Sequence, residues 1–109
     1  MEDKLIEIKN ENFEKVILIV LIGILDSLKN HVISMEEAER IIFSPYMENR
    51  LRRHNVRSEI IDIIICGCEL EDIESLLPEE LDKNINDLLN RTIVLLKQYE
   101  KIDDNFWIR

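Results

Sequence analysis

With 109 residues, of which 46% are hydrophobic, the chain is long enough for a single domain over 1–109 and too apolar for a disordered tail. Its 2 Gly and 2 Pro are too few turn residues for a β-sandwich or barrel, which leaves an all-α fold with a core that is aliphatic, aromatics being only 6%. The net charge of -9 argues against nucleic acid and anionic membrane as partners and suits a basic protein, although an acidic surface also serves solubility.

Residues 4–9, Lys-Leu-Ile-Glu-Ile-Lys, alternate weakly. They fit either a short edge strand or a frayed helical turn. Asn10-Glu11-Asn12 is a polar break. The stretch Val16-Ile17-Leu18-Ile19-Val20-Leu21-Ile22-Gly23-Ile24-Leu25 follows, with no polar side chain. Its Val and Ile content suits a buried strand, and a short apolar run cannot be assigned by periodicity alone. The flanks decide for a helix over 12–30: Phe13, Val20, Ile24 and Leu28 recur at helical spacing. Asn12 is placed to cap the start and Asn30 to close the end. A helix apolar all round belongs at the centre, so residues 16–25 are expected to be nearly fully buried. Gly23 then marks either close approach by another helix or a local kink. The apolar run is half the length of a membrane span and lies between Lys15 and Asp26. The Met1-Glu2-Asp3 start has the wrong sign for a signal peptide. A cytoplasmic protein with no membrane partner is expected.

Ser34-Met35-Glu36-Glu37 reads as a capping box, Ser34 at the N-cap and Glu37 at N3, opening a helix through Phe43 with Glu36 and Arg40 paired. Ser44 and Pro45 open a short helix over 45–54, Ser44 as N-cap and Pro45 at N1. Arg50, Arg52, Arg53, His54 and Arg57 make a basic cluster on and after it. Asn55-Val56-Arg57 is a loop. Ser58 caps a fourth helix, Ile60 to Cys66, with Gly67 placed as its left-handed terminator. This helix, apolar nearly all round, is the expected partner of the 12–30 helix.

Residues 69–77 form a short helix with an apolar stripe of Leu70, Ile73, Leu76 and Leu77 and an acidic polar face. Pro78 begins the last helix, whose stripe is Leu81, Ile85, Leu88, Thr92, Leu95 or Leu96, and Tyr99. The tail ends Phe106-Trp107-Ile108-Arg109 and should dock on the body or on a partner. The whole reads as one compact bundle of about five or six helices around a fully apolar central helix.

Little in this chain carries catalysis. Two glycines cannot build a phosphate loop, and no Gly-x-Ser-x-Gly turn or Glu-x-x-His pair occurs. Cys66 and Cys68 lack the Cys-x-x-Cys spacing and are read as reduced and buried or half-buried; His31 and His54 lie too far off to complete a zinc site and read as exposed loop or helix-end residues. No enzyme, no metal and no cofactor are expected. The helices at 34–43 and 45–54, with arginines on the second, have the outline of a helix-turn-helix, which keeps a DNA-binding regulator as the alternative; the pI of 4.7 argues against it. The other one-signed feature is acidic: Glu69, Glu71, Asp72, Glu74, Glu79, Glu80 and Asp82 form a stretch with no basic residue until Lys83. This is a solvated face or a landing site for a basic protein, with Glu69, Glu71, Asp72, Glu74, Glu79 and Glu80 as the candidate contacts.

Residues 32–43, Val-Ile-Ser-Met-Glu-Glu-Ala-Glu-Arg-Ile-Ile-Phe, followed by 68–81, Cys-Glu-Leu-Glu-Asp-Ile-Glu-Ser-Leu-Leu-Pro-Glu-Glu-Leu, resemble small bacterial helical proteins, some of them similar to immunity proteins encoded beside polymorphic toxins. The resemblance covers most of the chain, rests on capping and helix-packing signals, and carries over no catalytic residue. It implies a protein that binds and neutralises a cognate toxin in the cytoplasm. A structural or regulatory domain that forms homo-oligomers is the further alternative.

Overall fold

The computed structural model describes residues 7–8, 10–102 and 107–108. Helix α1 spans Asn10–Lys29, α2 Met35–Ile41, α3 Pro45–Arg53, α4 Ser58–Cys68, α5 Leu70–Leu76 and α6 Leu81–Leu96, with a 3-10 turn at Pro78–Glu80. The fold is all-helical and compact. Two residues at each end, β1 (Glu7–Ile8) and β2 (Trp107–Ile108), pair antiparallel, Glu7 opposite Ile108 and Ile8 opposite Trp107. That pairing resolves Glu7–Ile8 as extended and ties Trp107–Ile108 to the other end of the chain. Residues 4–6, Lys9 and Phe106 lie outside the described residues.

Four helices have nine residues or more, while α2 and α5 have seven each. The bundle is thus four principal helices and two two-turn pieces, not five or six comparable members. A seven-residue helix is too short to hold itself in water, so α2 depends on its capping box and the core beneath it, and α5, which has no side-chain cap, on the core alone.

Local signals account for most boundaries. Ser34 Oγ accepts from the Glu37 N–H at 3.1 Å, and Glu37 Oε1 accepts from the Ser34 N–H at 3.0 Å, completing the capping box. Ser44 Oγ accepts from the Met47 N–H at 3.2 Å, with Pro45 as the first helical residue. α1 begins at Asn10, two residues before the expected cap. It ends when His31 turns to φ 58°: His31 N–H donates to the Leu28 carbonyl and Val32 N–H to the Ser27 carbonyl. α3 ends the same way at Asn55, also φ 58°. Both are Schellman closures without glycine. Asn30 contributes by donating its side-chain amide to the Asp26 carbonyl at 2.9 Å.

Several expectations about α1 and α4 are corrected. Residues 16–25 are not buried all round. Ile17, Leu18, Leu21, Leu25 and Leu28 face inward, but Ile19 is 48% exposed, Val20 37%, and Gly23 is open to solvent. Among the described residues there is one other helix of comparable length, and it covers one side. That helix is α6, not α4: α1 packs chiefly on α6, whose buried residues are Ile85, Leu88, Leu89, Thr92 and Leu95, while α4 packs mainly on α3 and α6. The reason is length, since only the 16-residue α6 can match the 20-residue α1 along its course. Gly23 is no point of close approach; nothing lies within 4 Å of where its Cβ would stand.

The close approach is at Gly67. It does not terminate α4 in the left-handed region; it is buried inside the helix, and a Cβ there would overlap the Phe43 ring. Phe43, just past α2, is 2% exposed and fills the space that Gly67 leaves. Ser58 is the first helical residue of α4 rather than its cap; Arg57 holds the N-cap position and makes no side-chain cap bond. The stripe expected on α5 buries only Leu70. Ile73 is half-buried, and Leu76 and Leu77 face solvent because the helix is too short to lay a second turn on the core. α6 carries its expected stripe inward, and its buried hydroxyl, Thr92 Oγ1, donates to the Leu88 carbonyl at 2.8 Å.

Candidate functional site

The turn after α1, the start of α2, the end of α5 and the start of α6 meet around an open groove of 410 Å³. Its apolar lining is Leu28, Val32, Ile33, Met35 and Leu81, and its polar lining is His31, Ser34, Glu36, Glu74 and Asp82. The Schellman closure at His31 turns the chain sharply and leaves Val32 72% exposed at the lip. The capping box holds Ser34 to Glu37 and so orients the first turn of α2, which carries Glu36. Three carboxylates from three different elements therefore edge an apolar floor.

The acidity extends one turn further. Glu39 of α2 and Glu71 of α5 bring their carboxyl groups together. Partial burial, then Glu71, Glu36 and Glu74, push the Glu39 carboxyl above the usual carboxylate range. Burial likewise raises the Cys68 thiol, helped by Glu48, Glu39 and Glu69. One negative field thus covers α2 and α5 together. No described Lys or Arg ion-pairs with Glu39, Glu71 or Glu74; the described pairs are Arg40–Glu36 at 3.9 Å and Arg52–Glu48 at 2.9 Å.

The six acids expected from sequence are divided by this geometry. Glu71 and Glu74, one helical turn apart, share the face toward α2, and Glu74 lines the groove. Asp72 is exposed on α5, and its place one residue after Glu71 turns it about 100° away from that face. Glu69 caps α4 and lines a separate shallow pocket with Cys66, Asp87 and Arg91. Glu79 and Glu80 sit exposed on the 3-10 turn. Sequence reasoning missed Glu36 and Glu39 as members of the site. Their spacing of three was the available signal, but nothing local says that the carboxyl groups of α2 come near those of α5.

The basic cluster is partly committed elsewhere. Arg52 binds Glu48, and Arg50 donates to the Tyr46 hydroxyl at 2.9 Å. Arg57 stacks on the Tyr99 ring, 4.6 Å from its centroid, while its backbone N–H donates to Glu14 at 2.8 Å. Tyr99 donates to the other Glu14 oxygen at 2.6 Å, and burial together with that carboxylate pushes the phenol well above its usual value. This node joins the start of α1 to the end of α6, so the two helices run antiparallel. Arg53 is exposed.

Cys66 and Cys68 are free and half-buried; Arg91 Nη1 approaches Cys66 Sγ at 3.6 Å. His31 and His54 are exposed helix-end residues. Among the described residues no three His, Cys, Asp or Glu side chains are grouped to hold a metal ion, and no helix is long and apolar enough to cross a membrane.

No curated protein and no solved structure matches this chain. One family model, described as a protein of unknown function (DUF3969), matches residues 8–109, nearly the whole chain, and the protein belongs to that family.

Proposed function

We propose that this protein is a cytoplasmic protein-binding module that takes an amphipathic, basic partner at the acidic groove, acting as a binder rather than a catalyst. The observation that carries the reading is the combination of Glu36, Glu74 and Asp82 around the apolar floor of Leu28, Val32, Ile33, Met35 and Leu81. Carboxylates alone would be a solvated face. The exposed Val32, with half-buried Ile33 and Leu81 beside it, supplies anchors that could be desolvated on contact, while the charge speeds encounter and excludes acidic competitors. The crowding of Glu39 by Glu71 fits the same reading, because like charges held together oppose folding and are relieved by an incoming cation. The resemblance to immunity proteins makes the specific form of the proposal neutralisation of a cognate toxin.

The test is capture of partners from native extract by the full chain, against a Glu71→Lys, Asp72→Lys, Glu74→Lys variant and a Val32→Asp variant. Loss of one basic partner from both variants, with unchanged circular dichroism, is expected. Equal recovery by all three chains would sink the reading. The DNA-binding alternative has no comparable support, since Arg52 and Arg57 already hold partners within the fold.

A further inference from the structure

We propose that the outer face of α1 joins two copies of this chain in an antiparallel homodimer. At 100° per residue, Val16, Ile19, Val20 and Gly23 fall on one strip of α1, opposite the buried Leu18, Leu21 and Leu25. Ile19 and Val20 are exposed, Val16 is half-buried, and Gly23 has open space over it. No charged residue occurs from Val16 to Leu25. Polar groups bound the strip at both ends: Asn12 and Lys15 before it, Asp26, Ser27 and Asn30 after it.

The order of these residues is self-complementary only in the antiparallel sense. With a two-fold axis at the height of Leu21, Ile19 of each copy falls on Gly23 of the other, a ridge over a gap made twice. Asn12 faces Asn30, and Lys15 comes within one residue's rise of Asp26. Lys15 donates to the Glu100 carbonyl at 2.8 Å, which uses one of its three N–H groups. A parallel pair would set Ile19 on Ile19, Lys15 on Lys15 and Asp26 on Asp26. Charge also favours a second copy here rather than elsewhere. Two chains of net charge -9 repel across most of their surfaces, and this strip lets them touch without opposing carboxylates. An anionic lipid surface is disfavoured by that same charge and by the absence of a basic cluster on α1. The strip runs along the middle of α1, while the acidic groove lies at its C-terminal end, from Leu28 onward, so the two readings stand or fall separately.

Sedimentation equilibrium of the full chain over a wide concentration range tests the proposal. A monomer–dimer equilibrium is expected. Ile19→Asp and Gly23→Leu should each weaken it at least about tenfold with the helical spectrum unchanged, because a Leu at position 23 closes the gap that the other copy's Ile19 enters. Lys15→Asp should also weaken it, and adding Asp26→Lys should restore it. A chain monomeric at every concentration, whether or not it binds neutral or anionic phospholipid vesicles, overturns the proposal. So does a dimer that tolerates Ile19→Asp, or one that Gly23→Leu leaves as tight as before.

Discussion

Gly67 in α4 and Gly23 in α1 both interrupt runs of Ile and Leu, yet their surroundings have nothing in common. Around Gly67 the Phe43 ring occupies the place of a Cβ, and neighbouring Ile63 and Ile64 are buried. Around Gly23 there is open space. At one glycine the missing side chain is replaced by a neighbour, so the residue is required by packing. At the other it is replaced by solvent, so the fold of one copy gains nothing from it. A glycine in an apolar helix is therefore no indicator of burial by itself; what distinguishes the two is whether a bulky side chain from a distant segment arrives.

The sharpest way to break this contrast is to remove the arriving ring. Phe43→Ala should cost about 3–5 kcal/mol, the usual range for truncating a buried aromatic, measured by urea denaturation. Gly67→Ala should cost about 1–3 kcal/mol, although Ala is the better helix former by about 1 kcal/mol, because the ring must move. In the double variant the methyl group enters space that the ring has left, so the two costs should fall well short of adding. Simple additivity would show that Phe43 and Gly67 do not share a site.

The next effect belongs to α1's inner side, where Glu14, Tyr99 and Arg57 meet. Tyr99→Phe should cost about 1 kcal/mol, a hydrogen bond to a carboxylate discounted for partial exposure. Its pH dependence has a definite sign. The folded phenol titrates above its unfolded value of 10.0, so its contribution is whole below that pH and declines as pH rises toward the folded value. Denaturation followed from pH 9 to 11 should show wild type losing more stability than Tyr99→Phe. Equal slopes would mean the Glu14 bond does not persist in solution. The smallest effect is expected on the outer side. Gly23→Ala should stabilise the monomer by up to about 1 kcal/mol, read at concentrations where the chain is monomeric. A destabilised Gly23→Ala would mean that something packs there within a single copy.

The acidic region repeats the lesson for charge. Glu71 and Glu74 are legible in the sequence as a one-signed pair on a short helix. Their meeting with Glu36 and Glu39 is not, because those residues belong to a helix that ends 29 residues before α5 begins, counting Ile41 to Leu70. Glu71→Gln should relieve Glu39, drawing its carboxyl back toward the ordinary range in an NMR titration. An unmoved Glu39 would place the two groups apart.

What the sequence determined by itself is what short-range chemistry decides. The helical class follows from the scarcity of Gly and Pro. The boundaries at Ser34 and Ser44 follow from caps, whose partners lie within three or four residues, whereas Pro78, expected to begin the last helix, opens a 3-10 turn and α6 itself starts at Leu81. The stripe of α6 follows from its period. Tertiary structure decided everything that needs two distant segments: that α1 pairs with α6 and leaves Ile19, Val20 and Gly23 open, that Phe43 covers Gly67, that Glu14 binds Tyr99, and that the groove forms where α1, α2, α5 and α6 meet. Hydrophobicity drives apolar faces out of water without naming their partners. In a 109-residue chain there is too little covering surface for every apolar face, and only the competition for it, settled in three dimensions, selects which face stays exposed.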